Sequence, residues 1–388
     1  LNLQWKRLII VAKRIDFGKV EVVFKNDKSK VRAETIVNKR KAISWNNRKN
    51  WKVRIDYEVS LPKNSNLKVY NYSGNVSLDK LLGAAQFDLN FSDLKVEEMG
   101  DDSKIMMRNG KGTIGKSGDL MSKLHFSEVI AEEVGNLDLD ANNASFEAQK
   151  GKDIETKSHY GTLKFGTIGD YSTKTTGGKL EIGTAGKLIL NLNNVNVKLQ
   201  DAGDLDADFT FTNLSAKSLG ELDLKLRNSD VEVETVQNVK SDSQWGAVKL
   251  GNVQRCENTS NGTKIELGTA KEVKVKSQNS KLTIKELSGN LDLEMTFGGC
   301  KATLTNPNPT ITLNGKNADF DFQLPSSSQF QIDLTSNTRN FKFPGLLKAI
   351  TQVDKIGLQK YRGYLGNQNA ENLINAELNF GNLKLEMK

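Results

Sequence analysis

Histidine is nearly missing from this chain. Its 388 residues hold two, His125 and His159, beside two cysteines, Cys256 and Cys300, and five prolines. With so little imidazole, a Ser-His-Asp or Cys-His catalytic site has few candidates. The two histidines fall at the same place in the repeat described below, two repeats apart, so their backbones stand about 10 Å apart. A shared metal would need both ring nitrogens within about 2.1 Å of it, and exposed turn residues are the simpler reading. The cysteines lie on different strands more than two repeats apart, beyond the roughly 7 Å Cα separation a disulfide tolerates. They are expected to be small buried hydrophobes. No stretch approaches the roughly eighteen apolar residues of a membrane span, so a soluble chain without a transmembrane segment is expected. The chain opens at Leu1 without Met and without a signal-peptide pattern. We read this as a removed leader, and expect a periplasmic, cell-surface or secreted protein.

Charge of one sign is also scarce over most of the length. Residues 1–60 carry sixteen Lys/Arg against six Asp/Glu, whereas the remainder carries thirty-nine against forty-one. The formal net charge of +8 therefore belongs to one terminal segment. A nucleic-acid binder would spread its basicity as a stripe interleaved with aromatics. Lysine-rich ends also keep open strand edges from pairing with other chains. Edge protection is the expected role, and no nucleic-acid partner is expected.

What the chain has instead is a period. Gly161-Thr-Leu-Lys-Phe-Gly-Thr-Ile-Gly returns seventeen residues later as Gly178-Lys-Leu-Glu-Ile-Gly-Thr-Ala-Gly. With Leu120 as position one, that position reads Leu120, Leu137, Ile154, Tyr171, Leu188, Leu205, Leu222 on successive repeats; positions ten, twelve and fifteen are likewise mostly apolar. The phase holds without insertion over 103–289, and single extra residues at Ala84, Asp102 and Asn290 extend it to 67–307. Within a repeat, positions one, three and five alternate with polar residues, as do ten and twelve. Period two means strands, and Gly with Asp or Asn at the repeat ends marks turns. A seventeen-residue unit cannot bury its own apolar face, but stacked units can. The expected fold is all-β: a parallel β-solenoid with about 17 residues per coil, in-register sheets and capped ends. Position eleven tests the register. It reads Glu147, Lys164, Glu181, Lys198, Ser215, Glu232, Lys249, Glu266, and opposite charges across neighbouring strands stabilise pairing where like charges oppose it.

Both ends of such a stack need covers. Residues 1–60 lack the period and are expected to form a basic N-terminal β cap. There, 20–24 and 31–37 flank a polar turn and suggest a hairpin, and Trp45 and Trp51 are candidates to cover the first coil. Residues 61–343 then form a solenoid of about 14 or more coils. Residues 344–388 form a C-terminal cap, in which Leu346, Ile350 and Val353 at helical spacing suggest a short helix or loop excursion before the final strands.

An entry phrase Y-x-V-x-L-P-x-x-S-x-L-x-V at 57–69, then S-G-N-V-x-L at 73–78 and repeated G-x-L-x-I-G units, resembles the adhesin family of bacterial β-solenoids. These are head domains of the autotransporter-adhesin type, common in Bacteroidetes. The matching stretches are 57–78, 103–289 and 320–332. The resemblance implies export and a right-handed helix of strands; it brings no catalytic residues.

Two clusters could carry a site. Asp204, Asp206 and Asp208 alternate on one strand, with Glu221 and Asp223 on the next coil. Calcium prefers such oxygen ligands, which makes Asp204, Asp206 and Asp223 the metal candidates. Lys225 beside Asp208, and the want of a basic partner near the acid pair, argue against this. Position seven carries Phe91, Phe126, Tyr160, Phe211, Trp245 and Phe297, with Asn or Gly in most other coils. An exposed row of rings could stack on sugars, which makes Phe126, Tyr160, Phe211 and Trp245 the binding candidates. Position seven shares parity with one, three and five, however, so corner packing is the expectation. No catalytic residue and no cofactor are expected. The chain reads as a surface or periplasmic binding or structural module, with glycans or cell-surface and matrix proteins as candidate partners. The alternative is a pectinase- or lyase-like β-helix enzyme working from the Asp204–Asp208 face.

Overall fold

The computed structural model describes residues 8–12, 20–26, 31–37 and 55–388. The chain divides into two units, 1–65 and 66–388. In the first, Val20–Asn26 pairs antiparallel with Val31–Val37 (Val20 opposite Val37), so the hairpin read from the sequence is present. A second antiparallel pair joins Leu8–Ala12 to Ile55–Val59. The Thr35 and Tyr57 hydroxyls hydrogen-bond to each other. Trp45, Trp51 and residues 27–30 of the polar turn lie outside the described residues.

The second unit is a parallel β-solenoid of about fifteen turns, and no helix occurs among the described residues. Its strands pair with their equivalents seventeen residues on: Leu120 faces Leu137, which faces Ile154, and Leu163 faces Leu180, which faces Val197. The offset becomes eighteen where single residues are inserted, with Leu67 facing Ala85, Gln86 facing Lys104 and Val273 facing Leu291. Alternation places positions one, ten and twelve inside. Leu137, Ile154, Leu188, Leu163, Leu180, Phe165 and Ile182 all belong to one buried core.

Position eleven stacks as charge alternation requires. Lys164 sits between Glu147 and Glu181, and Glu181 sits between Lys164 and Lys198. Lys164 Nζ donates to Glu147 Oε1 at 2.9 Å, and Lys249 pairs with Glu232 in the same way. Each glutamate holds its lysine above the ordinary value of 10.5.

The interior is less uniformly apolar than the strand pattern suggests. Thr156 Oγ1 lies 2.8 Å from the Tyr171 hydroxyl and 2.6 Å from Thr173 Oγ1, which lies 2.9 Å from Thr175 Oγ1. Burial pushes the Tyr171 phenol up to about 12. A buried hydroxyl needs a partner, and for Thr156 and Thr173 stacking supplies one because these equivalent threonines meet in adjacent turns.

Of the short helix or loop excursion expected in the C-terminal region, no helix forms, and the excursion is a pair of strands. Lys348–Lys355 and Leu358–Leu365 form an antiparallel hairpin that continues onto Phe330–Ser336. Gly357, at φ +74°, supplies the left-handed residue of the two-residue turn, a geometry glycine adopts freely. That turn overrides the helical spacing of Leu346, Ile350 and Val353. The final strands are also not last in space. Leu373–Asn379 and Asn382–Met387 stack on Ile311–Leu324 on one side and on Phe330–Ser336 and Phe341–Lys342 on the other. The last coil of the sequence is thus intercalated beneath the one that precedes it.

Candidate functional site

One corner of the solenoid repeats the same backbone device. Position five points inward, position six outward, and position eight inward again, so a single residue must break the alternation between them. That residue is position seven. It has positive φ in every turn from Ser73 (71°) through Phe126 (49°), Gly177 (70°) and Trp245 (59°) to Asn317 (51°), and again at Phe380 (57°). Left-handed geometry suits Gly and Asn and is unfavourable for a bulky side chain. Glycine or asparagine accordingly occupies Asn109, Asn143, Gly177, Asn194, Asn228, Gly262, Asn279 and Asn317.

Position eight locks the corner. Ser127 Oγ donates to His125 O at 2.9 Å, Ser229 Oγ to Arg227 O at 2.9 Å and Ser280 Oγ to Gln278 O at 3.0 Å. The same hydroxyls accept from the turn before: Thr212 N donates to Ser229 Oγ at 3.1 Å and Thr263 N to Ser280 Oγ at 3.2 Å. Buried Ser, Thr or Gly at position eight is the sequence signal for this device, and the strand pattern alone passes over it.

Apart from Ser73, the remaining turns carry rings at position seven: Phe91, Phe126, Tyr160, Phe211, Trp245, Phe297 and, unrecognised in the sequence, Phe380. The first six are 51–60% exposed. The expectation of corner packing is therefore corrected. Parity predicted an inward side chain, but positive φ reverses the alternation at this residue and swings the ring outward. Along the axis the rings recur at steps of two, two, three, two, three and two turns. At about 4.8 Å per turn they span roughly 65–70 Å. Tyr72 extends the row at one end, its ring 5.8 Å from that of Phe91 and edge-on to it.

No two of the position-seven rings occupy adjacent turns. For Tyr160 and Trp245 the geometry at Gly177 and Gly262 gives a reason. A Cβ on Gly177 would lie 2.5 Å from Tyr160 Cδ1, and one on Gly262 would lie 2.5 Å from Trp245 Cε3. Each of these rings rests on the backbone of the following turn, where a second ring would collide.

Position six runs beside the rings. Register places Arg108 next to His125, Asn142 between His125 and His159, then Thr176, Asn193, Thr210 and Arg227. Aligned with Asn90 at one end and Thr296, Lys316 and Asn379 at the other, this column contains amides, hydroxyls and cations but no carboxylate. The two histidines are exposed here, on turns separated by Asn142.

The other candidates stay apart from this corner. Asp206 faces Asp223 and Asp208 faces Lys225, while Asp204 Oδ1 accepts the Glu221 N–H at 3.1 Å. Among the described residues no group of three or more His, Cys, Asp or Glu side chains is arranged to hold a metal ion. The role of Asp204 recurs along position seventeen. Asp119 Oδ1 accepts the Asn136 N–H at 2.9 Å and Asp170 Oδ1 the Lys187 N–H at 2.8 Å. The hydrogen bond from Asn136 holds the Asp119 carboxyl below its ordinary value of 3.8. Asp119 and Asp170 line an open groove of about 560 Å³ together with Leu120, Leu137, Ile154 and Tyr171, but their acceptor oxygens serve the turns; Asp204 lies outside it. Cys256 and Cys300 are free and buried. Burial pushes the Cys256 thiol up to about 12 and raises that of Cys300 as well.

The fold and this corner define a class: a parallel β-solenoid whose turns are fixed by side-chain ladders. The chain belongs to the Toastrack DUF4097 family, whose model matches residues 25–386. No curated protein and no solved structure matches it. Among the described residues no helix is long and apolar enough to cross a membrane.

Proposed function

We propose that this solenoid is an exported binding module, held in the periplasm, displayed on the cell surface or secreted, and that its row of rings holds a saccharide polymer along the solenoid axis. The observation carrying this reading is that the rings stand at positive φ and are more than half exposed. A bulky residue in left-handed geometry costs on the order of 1 kcal/mol, and the corner forms equally well around Asn109, Asn143 or Asn228. Covering a glycine accounts for Tyr160 and Trp245. It does not account for Phe91, Phe126, Phe211 or Phe297, whose following turns carry Asn. Strain accepted without full burial points to contact with a partner. Flat exposed rings flanked by amides and hydroxyls suit a sugar chain, whose CH faces stack on aromatics while its hydroxyls hydrogen-bond. The resemblance to bacterial adhesins agrees with this reading.

Affinity electrophoresis through gels carrying single polysaccharides tests it. The native chain should be retarded by at least one polymer. The variant Phe126→Asn/Tyr160→Asn/Phe211→Asn/Trp245→Asn should migrate freely while keeping the native circular dichroism spectrum. Equal retardation of both proteins would refute the role of the rings, and retardation by no polymer would refute the saccharide reading.

A further inference from the structure

The spacing of the rings narrows the ligand. We infer, resting on the saccharide reading above, that the polymer is a flat-ribbon glycan: a chain of hexopyranoses linked through equatorial bonds at carbons 1 and 4. The steps between rings are both two and three turns. A chain that turns an apolar face toward the protein only at every second sugar would satisfy steps of two and present the wrong edge after a step of three. A coiled chain, such as an α-1,4- or β-1,3-linked glucan, would turn its sugars away from a straight row. In the equatorially 1,4-linked ribbon, both faces of every sugar carry axial C–H bonds and all rings lie near one plane. Every sugar can therefore stack, and steps of two and three are equally acceptable.

The advance along the axis agrees. An extended chain of this kind moves forward, per sugar, by close to one solenoid turn of about 4.8 Å. Phe91, Phe126 and Tyr160, two turns apart, then meet sugars one, three and five. The side chains beside them, including Asn142, Thr176 and Arg227, face the equatorial hydroxyls at the ribbon's edge.

Calorimetric titration with oligosaccharides of two to six sugars separates the two claims. The ribbon series is cello-, manno- and chito-oligosaccharides; the coiled series is malto- and laminari-oligosaccharides. At least one ribbon series should bind, with affinity rising roughly three- to tenfold for each further ring engaged. The rises should fall between two and three sugars and between four and five, with little change from three to four. Phe126→Asn, which removes the middle ring of the Phe91, Phe126 and Tyr160 triplet, should abolish the rise at five sugars and leave the rise at three, because Phe211 and Trp245 also stand two turns apart. Tighter binding of the coiled series, or a smooth increase with length untouched by Phe126→Asn, would overturn the ribbon assignment and leave the saccharide reading standing. Binding of neither series, nor of the polymers in the gels, would overturn both.

Discussion

The ring of Trp245 and the backbone of Gly262 offer a sharp test of how the corner is built. In Gly262→Ala the new methyl group would lie 2.5 Å from Trp245 Cε3 and 2.6 Å from Cζ3, at a φ of +66°. Carbon atoms rest at about 3.5–4.0 Å, so the ring must move by about 1 Å or more. Two effects add. Left-handed alanine costs about 1–2 kcal/mol relative to glycine, and relieving the overlap costs about 1–3 kcal/mol, as other overpacked contacts do. The single substitution should therefore destabilise this corner by about 2–5 kcal/mol. With Trp245→Asn already in place nothing occupies the methyl site, and only the backbone part remains. The two substitutions should couple by about 1–3 kcal/mol. Long stacked arrays can lose all-or-none unfolding, so the proper measure is native-state hydrogen exchange of amides in turns 239–255 and 256–272, which reports local opening energies. An equal cost of Gly262→Ala with and without the tryptophan would refute the claim that the ring rests on this glycine. It would also remove the reason given for a glycine following Trp245.

Three further outcomes are expected. Tyr171→Phe removes a buried hydroxyl that Thr156 engages at 2.8 Å while leaving Thr156 its bond to Thr173; a loss of about 0.5–1.5 kcal/mol is expected in urea unfolding, and a gain in stability would contradict the network. Cys256 and Cys300 are buried with raised thiol values, so neither should react with a thiol reagent at pH 8 until the chain unfolds; prompt reaction in the native state would show the core to be open there. Lys164→Glu would line up Glu147, residue 164 and Glu181 as like charges, lowering the melting temperature by an amount that shrinks with added salt. The ladders also set the pH range. Asp119 and Glu266 are held below 3.8 and 4.5 by hydrogen bonds from Asn136 and Lys264, so their stabilisation is present at neutral pH and lost as pH falls through those lowered values. Lys164 and Lys249 are held above 10.5, so theirs is present below 10.5 and lost as pH rises beyond it. A melting temperature that varies across pH 6–9 but not outside it would contradict both assignments.

Much of the solenoid was legible in the residues because its chemistry is local to a column. Leu120, Leu137 and Ile154 had to be inside once the period was seventeen, and Glu147, Lys164 and Glu181 had to be neighbours. Single insertions at Ala84, Asp102 and Asn290 shift the count without disturbing the columns. The N-terminal hairpin was likewise written in two alternating runs about a polar turn.

The candidate site was half legible. Its residues were visible as rings at one position of the repeat, but their direction was not. Alternation is a rule for extended backbone, and one left-handed residue inverts it. The Asn and Gly that share position seven with the rings were the available hint.

The amino-acid sequence by itself determined the period, the strand register and the inner and outer faces, because each follows from side chains repeating at a fixed interval. Only the tertiary structure decided that the rings face outward, that hydroxyls at position eight tie one turn to the next, and that residues 373–387 slide in beneath 330–342. The first two depend on a backbone torsion that the alternation of apolar and polar residues does not record. The third is a choice between partners far apart in the chain. The strand Ile311–Leu324 could accept either coil, and the closing hairpin at 348–365 leaves room for the terminal one.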